Sequence, residues 1–454
     1  MKKLLCIILI LSFLFALVSC DVSNSYINEV NLKSYSIVYS DEDYDYSKRA
    51  AEYIQEEILK RTALTLPLVE DSEEPKTNYE IVVGNTNRDI SKKLDADTEG
   101  FEFAIMADGK HIALEADYFI IAAAAYFFIE TYVPCDDYDA TVPQGVSIHQ
   151  PIVKEAKNFI LLIGDGMGEF QTRTFEYLEN DIDYSDGEDV FYGYYFPNRG
   201  YSKTSSLSGV TDSAAGGTAL STGYKTMNNF VGRDKDLNDL KLITELARDL
   251  GMSAGVMSTE VRTGATPASF SAHADTRHSS AGIILTQEEA VEKYGILIDC
   301  NYDYYSPGGI ATLEESINDM LTALDKNDKG FFLMYEEAHT DKHSHNNELD
   351  KAFKAMVRFN QAIGVFMEYA FYNPDTFVLI TADHETGNLF PNEQGELEYH
   401  STDHTGRNVP IFAYGDGSEL FNGQTIENIQ IPQTIASFMG VYNFGDQSEV
   451  TYLK

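Results

Sequence analysis

Four apolar runs in the last two thirds of the chain constrain its fold more than any other feature. They read NFILLIG (158–164), SAGVMST (253–259), GFFLMYEE (330–337) and TFVLITADHE (376–385). Each is short and largely apolar, as strands buried on both faces are. Between them lie helical patterns such as LKLITELARDLG (240–251), which closes on Gly251. Strand and helix in alternation predict an α/β unit, a mostly parallel sheet sandwiched by helices. It is expected over 158–445, after a linker from Pro151 to Lys157. The acid- and tyrosine-rich segment 176–196 reads as a surface excursion.

A different pattern precedes it. Ser36 to Tyr39 and Tyr79 to Val83 read as strands, and FEFAIMADGKHIALEA as a hairpin turning at Asp108-Gly109. SKRAAEYIQEEILKRT reads as an amphipathic helix with Ala50, Ala51, Ile54, Ile58 and Leu59 on one face. A further helix is expected from about Tyr118 to Thr131. Together these predict a small α+β domain over 26–150. Its pattern resembles the accessory domain ahead of the catalytic barrel in glycosidases such as hexosaminidases and α-glucuronidases.

The first twenty residues, MKKLLCIILILSFLFALVSC, read as a lipoprotein signal peptide over 1–20. Lys2 and Lys3 precede an apolar run, Leu4 to Leu17, too short to span a membrane comfortably. Leu17-Val18-Ser19-Cys20 resembles the bacterial lipobox, whose cysteine is lipidated and becomes the new N-terminus. An ordinary secretory peptide cleaved nearby is the alternative. Both predict export, and the first predicts a cell-surface lipoprotein held to a bacterial membrane through Cys20. Cys135 and Cys300 are too few for a disulfide framework or a zinc finger and are left unpaired. A formal charge of −39 argues against nucleic acid as a partner. An anionic substrate would need local positive charge, which metal ions can supply.

Polar clusters follow the strand runs. IGDGMG puts Asp165 at the tip of the first, although a turn aspartate is the commoner reading of such a motif. VTDSAAGG places Ser213 directly after Asp212 and before small residues. Helix capping explains that pair, and so does a serine nucleophile facing the open N–H groups that suit a phosphate. TGATPASFSAHADTR carries Thr266 and Arg277, and an arginine fork can hold two phosphate oxygens. YEEAHTDKHSHNNE packs Glu336, Asp341, Lys342 and His345 together, with Asp341 and His345 four apart on one helical face. Histidine with carboxylate suits zinc. TADHETG adds Asp383 and His384, and HSTDHTG adds His404. In open α/β sheets ligands lie beyond the carboxyl ends of the strands, so these clusters can converge.

IGDGMG, VTDSAA, ATPA, the Glu-x4-Asp-x3-His spacing, TADHE and HTG occur in the order found in bacterial and animal alkaline phosphatases, which residues 158–443 resemble. The resemblance implies an exported phosphatase that hydrolyses phosphate monoesters, with two zinc ions and one magnesium. Ser213 would be the nucleophile and Arg277 would grip the phosphate, oriented by Asp212. Asp165, Asp383 and His384 would hold the zinc beside the serine, and Asp341, His345 and His404 the other. Thr266, Glu336 and a bridging Asp165 would hold magnesium, while Lys342 would aid phosphate through water. His339, His343 and His400 match no role and read as nearby surface groups. Gly264 stands where the best-known members place an Asp or His near the third metal. A homodimer is left open. The alternatives are a phosphodiesterase or other phosphoryl hydrolase of the superfamily, and a non-catalytic surface glycan-binding protein.

Overall fold

The structure, a computed structural model, describes residues 25–40, 45–72, 76–94, 98–133, 139–178, 190–301, 309–448 and 450–454. The signal-peptide reading of 1–20, Cys20 and Cys135 lie outside them. The chain divides into two compact units, Met1–Ile152 and Val153–Lys454. No helix among the described residues is long and apolar enough to cross a membrane.

The smaller unit is built on a six-stranded sheet in the order Leu68–Glu70, Ser36–Tyr39, Glu80–Val83, His111–Glu115, Phe103–Ala107, Ser147–His149. The first four strands run parallel, and the hairpin 103–115 closes the sheet with antiparallel pairs. The helix Tyr46–Thr62 buries Ala50, Ala51, Ile54 and Ile58. Leu59, expected on that face, is 45% exposed. One residue turns the helix by about 100°, which carries Leu59 past a stripe already filled at three- and four-residue spacing.

In the larger unit an eight-stranded sheet runs Leu297–Cys300, Ser253–Ser258, Phe331–Glu337, Asn158–Gly164, Thr376–Thr381, Val409–Tyr414, Asn198–Lys203, Thr425–Glu427. The first five strands are parallel, and 409–414 lies antiparallel between 376–381 and 198–203. Successive side chains alternate between the two faces of a strand. Phe159, Leu161 and Ile163 thus join Phe332, Met334, Phe377 and Leu379 in one core, closed by Ile243, Ile431 and Ile435 from helices. Tyr335 points the other way, onto Phe359 and Phe366 of the 24-residue helix Leu349–Tyr372. Both faces are covered, and that is why the strands are near-continuous apolar runs.

Register levels the strand ends. Ile163 lies opposite Glu336 on one side and Thr381 on the other, and Ser258 also faces Glu336. Every residue that follows these positions therefore emerges at one edge of the sheet. The segment 176–196 departs from its expectation in part. Residues 179–189 lie outside the described ones, but Phe191 and Tyr192 are fully buried. The Phe191 ring packs against Phe175, Phe359 and Phe412, and the Tyr192 N–H donates to Asn360 Oδ1 at 2.6 Å.

Candidate active site

Ser213 opens the ten-residue helix Ser213–Thr222. Asp212 caps it, its Oδ1 accepting from the Ala215 N–H at 3.0 Å. Its Oδ2 accepts from the Asn229 N–H at 3.0 Å and from Arg277 Nη1 at 3.4 Å. One carboxylate thus caps the helix and holds the arginine beside the serine, so capping and nucleophile placement are compatible. The small residues after Ser213 have a reason too. A Cβ on Gly216 would lie 3.0 Å from the Asp383 carbonyl oxygen, and one on Gly217 would lie 3.1 Å from the Ser269 side chain. The helix is wedged between the 383 turn and the short helix Ala265–Ser269.

Three groups of side chains converge near Ser213. Its Oγ is 3.2 Å from His384 Nε2. The same nitrogen is 3.4 Å from Asp165 Oδ1 and 3.2 Å from Asp383 Oδ2, and neither oxygen has a hydrogen-bond partner. Burial, then the neighbouring carboxylates Asp383, Asp341 and Glu336, push Asp165 well above the ordinary carboxylate range. Burial and Asp341 push Asp383 up to about 7. Burial and the His404 ring hold His384 well down, so its ring is neutral.

The second group is Asp341, His345 and His404. His345 Nδ1 faces the Thr402 carbonyl at 2.5 Å and His404 Nδ1 faces the Thr211 carbonyl at 2.9 Å. A carbonyl only accepts, so each Nδ1 carries the ring hydrogen. The two Nε2 atoms then face each other at 3.0 Å, each 3.4 Å from Asp341 Oδ1. A single proton between them leaves one acceptor facing another. A divalent cation satisfies all three. Burial raises Asp341, but His404, His384 and His345 overcome it and hold its carboxyl below the usual range.

The third group holds oxygen alone: Asp165, Thr266 and Glu336. Glu336 Oε2 accepts from the Ser258 hydroxyl, while Oε1 is buried without a hydrogen-bond partner. Burial and Glu260 push Glu336 up to about 8. Lys342, next to Asp341, donates to Glu260. In each of the first two groups the ligand atoms lie within 4.8 Å of one another. The buried carboxylate oxygens left without a donor, Asp165 Oδ1, Asp383 Oδ2 and Glu336 Oε1, fit divalent cations at these positions.

Two side chains were missed in the sequence. Thr386 Oγ1 donates to Asp341 Oδ1 at 2.5 Å and lies 3.2 Å from His384 Nδ1, joining the first two groups. The signal was the two-residue spacing from His384, which puts both on one side of an extended segment. Glu260, in the loop after the 253–258 strand, gave no signal. His339, read as a surface group, is 1% exposed. As the first residue of the helix His339–Ser344 it tucks under the strand end, its N–H donating to Glu337 Oε1 at 2.9 Å. His343 is half-buried beside Glu348, and His400 is exposed, stacked on Phe390. Cys300 is a free thiol.

Comparison with known proteins finds relatives for this part of the chain. The chain is 30% identical over 285 residues to alkaline phosphatase 3 of Bacillus subtilis, spanning 51% of this chain and 62% of that protein. The alkaline phosphatase of the Antarctic bacterium TAB5 superposes with a TM-score of 0.56 at 28% identity, over 63% of this chain and 99% of that one. A variant of the TAB5 enzyme with Mg bound in the M3 site superposes with a TM-score of 0.54 at 27% identity, with the same coverage. The alkaline phosphatase family model matches residues 156–301 and 295–391, which carry Asp165, Ser213, Thr266, Arg277, Glu336, Asp341, His345, Asp383 and His384. On that match and on the strand-edge site it spans, the chain belongs to the alkaline phosphatase family.

Proposed function

We propose that this phosphoryl hydrolase is a phosphomonoesterase that works through a phosphoserine on Ser213. The observation that carries the reading is the placement of Ser213 Oγ, 3.2 Å from His384 Nε2 at a helix N-terminus, with Arg277 held alongside by Asp212. Asp165, Asp383 and His384 would hold one zinc ion and Asp341, His345 and His404 a second. Asp165, Thr266 and Glu336, all oxygen donors, would hold magnesium. These cations, when bound, supply Lewis acidity and positive charge where the entering and leaving oxygens develop charge.

The chain's own residues do the rest. Ser213 Oγ gives its proton to solvent and bonds to phosphorus in line with the departing ester oxygen, whose bond to phosphorus breaks and which takes a proton from solvent to leave as the alcohol. Arg277 and the helix N–H groups hold the non-bridging phosphoryl oxygens. Asp212 keeps the guanidinium in place. Water then attacks the phosphoserine, returning Ser213 as the hydroxyl and releasing phosphate. The cationic grip on three phosphoryl oxygens favours monoesters over diesters, whose second ester group would sit where Arg277 lies. We further propose export as a lipoprotein on Cys20, supported by Lys2, Lys3 and the run ending in Ser19-Cys20.

The test is hydrolysis of p-nitrophenyl phosphate against bis(p-nitrophenyl) phosphate by zinc- and magnesium-supplied protein, with Ser213→Ala alongside. Monoester preference is expected, with a loss on the order of 10³-fold or more in the variant. Substantial turnover by Ser213→Ala would sink the phosphoserine route. Diester preference would move the protein to another branch of the superfamily, and zinc binding without turnover would favour the glycan-binding reading.

A further inference from the structure

Gly264 stands at the N-terminal boundary of the helix Ala265–Ser269 and carries no side chain toward the third group. The space it leaves is filled. A Cβ on Gly264 would lie 1.8 Å from Glu260 Oε1 and 2.3 Å from its Cδ. The Glu260 carboxylate therefore occupies the volume a side chain at 264 would take. Two contacts hold the residue there, one at its carboxylate and one at its backbone. Lys342 Nζ donates to Oε2. The Glu260 backbone N–H donates to Ser258 Oγ at 3.0 Å, and that hydroxyl donates in turn to Glu336 Oε2. Glu260 and Glu336 are thus tied through one hydroxyl at the end of one strand.

The surroundings call for a cation. The Lys342 ammonium is bound to Glu260, while Asp165 Oδ1, Glu336 Oε1 and Thr266 Oγ1 are buried without a hydrogen-bond partner. The donors are all oxygen, the set a hard divalent ion takes.

We propose that Glu260 completes the third cation site in the space left by Gly264, supplying the carboxylate that position 264 cannot, with Lys342 holding it in place. This rests on the reading of Asp165, Thr266 and Glu336 as a magnesium site. The carboxylate comes from four residues upstream in the loop that leaves the 253–258 strand. A side chain at 264 would displace the Glu260 carboxylate from the place it takes in this geometry.

The experiment is calorimetric titration of Mg²⁺ into zinc-loaded full-length protein, with zinc content measured on the same samples and the fold checked by circular dichroism. The wild type is expected to take one Mg²⁺. Glu260→Gln, nearly isosteric, is expected to bind it about 10–100-fold more weakly with zinc content unchanged. Gly264→Ala, which adds only a Cβ, is expected to weaken it as well, by displacing the Glu260 carboxylate. The Glu260→Gly/Gly264→Asp double variant returns a carboxylate to the same space and is expected to recover most of the affinity. A wild type that binds one Mg²⁺ and a Glu260→Gln variant that binds it equally would overturn the proposal alone. A zinc-loaded wild type that takes no Mg²⁺ would overturn the magnesium reading and the proposal together.

Discussion

The Thr386 hydroxyl has one proton and two neighbours. It gives the proton to Asp341 Oδ1 at 2.5 Å, so it can only accept from His384 Nδ1 at 3.2 Å. That places the ring hydrogen of His384 on Nδ1 and leaves the Nε2 lone pair facing Ser213, Asp165 and Asp383. One side chain thereby sets the tautomer in the first group and supplies a donor to the acid of the second. Thr386→Val keeps the shape and removes both bonds. Zinc affinity, measured by competition with a chromogenic chelator, is expected to fall about 10–100-fold. Activity should recover with excess zinc, and Thr386→Ser should behave as wild type. Unchanged zinc affinity in Thr386→Val would show that the ring is oriented by packing alone.

At the scale of elements, the loop that ends in Arg277 needs an anchor, and His273 provides it. Its Nδ1 faces the Gly232 carbonyl at 2.8 Å and its Nε2 faces Glu245 Oε1 at 3.4 Å, on the helix Ile243–Asp249. Burial lowers the His273 pKa, but the Glu245 carboxylate and the Gly232 carbonyl reverse this and raise it above its ordinary 6.5. Burial raises Glu245, but His273 and the Leu242 N–H reverse this and take it below 4.5. For a raised histidine the stabilisation is full below its unfolded pKa and is lost as pH rises through the folded one. For a lowered glutamate it is present above the unfolded pKa and lost as pH falls through the folded one. The pair therefore stabilises most between about pH 5 and 6.5. His273→Gln is expected to cost about 1–2 kcal/mol in urea unfolding at pH 6 and less at pH 9. An equal loss at both would mean the imidazole acts only by packing.

These elements also show what the sequence could disclose. Strands buried on both faces must be apolar throughout, so 158–164, 331–337 and 376–381 were readable, and with them the acids and histidines at their ends. Burial that depends on a distant partner was not readable. Phe191 and Tyr192 follow an acid-rich stretch, and only the Leu349–Tyr372 helix and Phe412 reveal why they are inside. His339 lies in a charged run, and its partner Glu337 is hidden by the strand in front of it. Glu260 was silent because its role comes from an absence, the missing side chain of Gly264.

At the scale of the whole molecule, the site joins segments far apart in the chain, from Asp165 to His404, and the groups that draw them together repel. Asp165, Asp383 and Glu336 are pushed upward by burial and by neighbouring carboxylates, and the Nε2 atoms of His345 and His404 face each other at 3.0 Å. Cations that bind here cross-link the strand ends of the folded state and find no such site in the unfolded chain. A ligand at about 100 times its Kd adds about 2.7 kcal/mol per site, and about 1 kcal/mol moves the melting temperature of a large domain by about 2–4 °C. Two or three occupied sites then correspond to about 10–30 °C. Dialysis against a chelator is expected to lower the calorimetric melting temperature by that amount, and zinc with magnesium to restore it. Among the described residues both nitrogen-bearing groups lie in Val153–Lys454, so the unfolding heat that moves should be that unit's. A chelated protein that melts where the reloaded one does would mean that the site is held by its hydrogen bonds and sheet register alone, with the cations recruited only for the reaction.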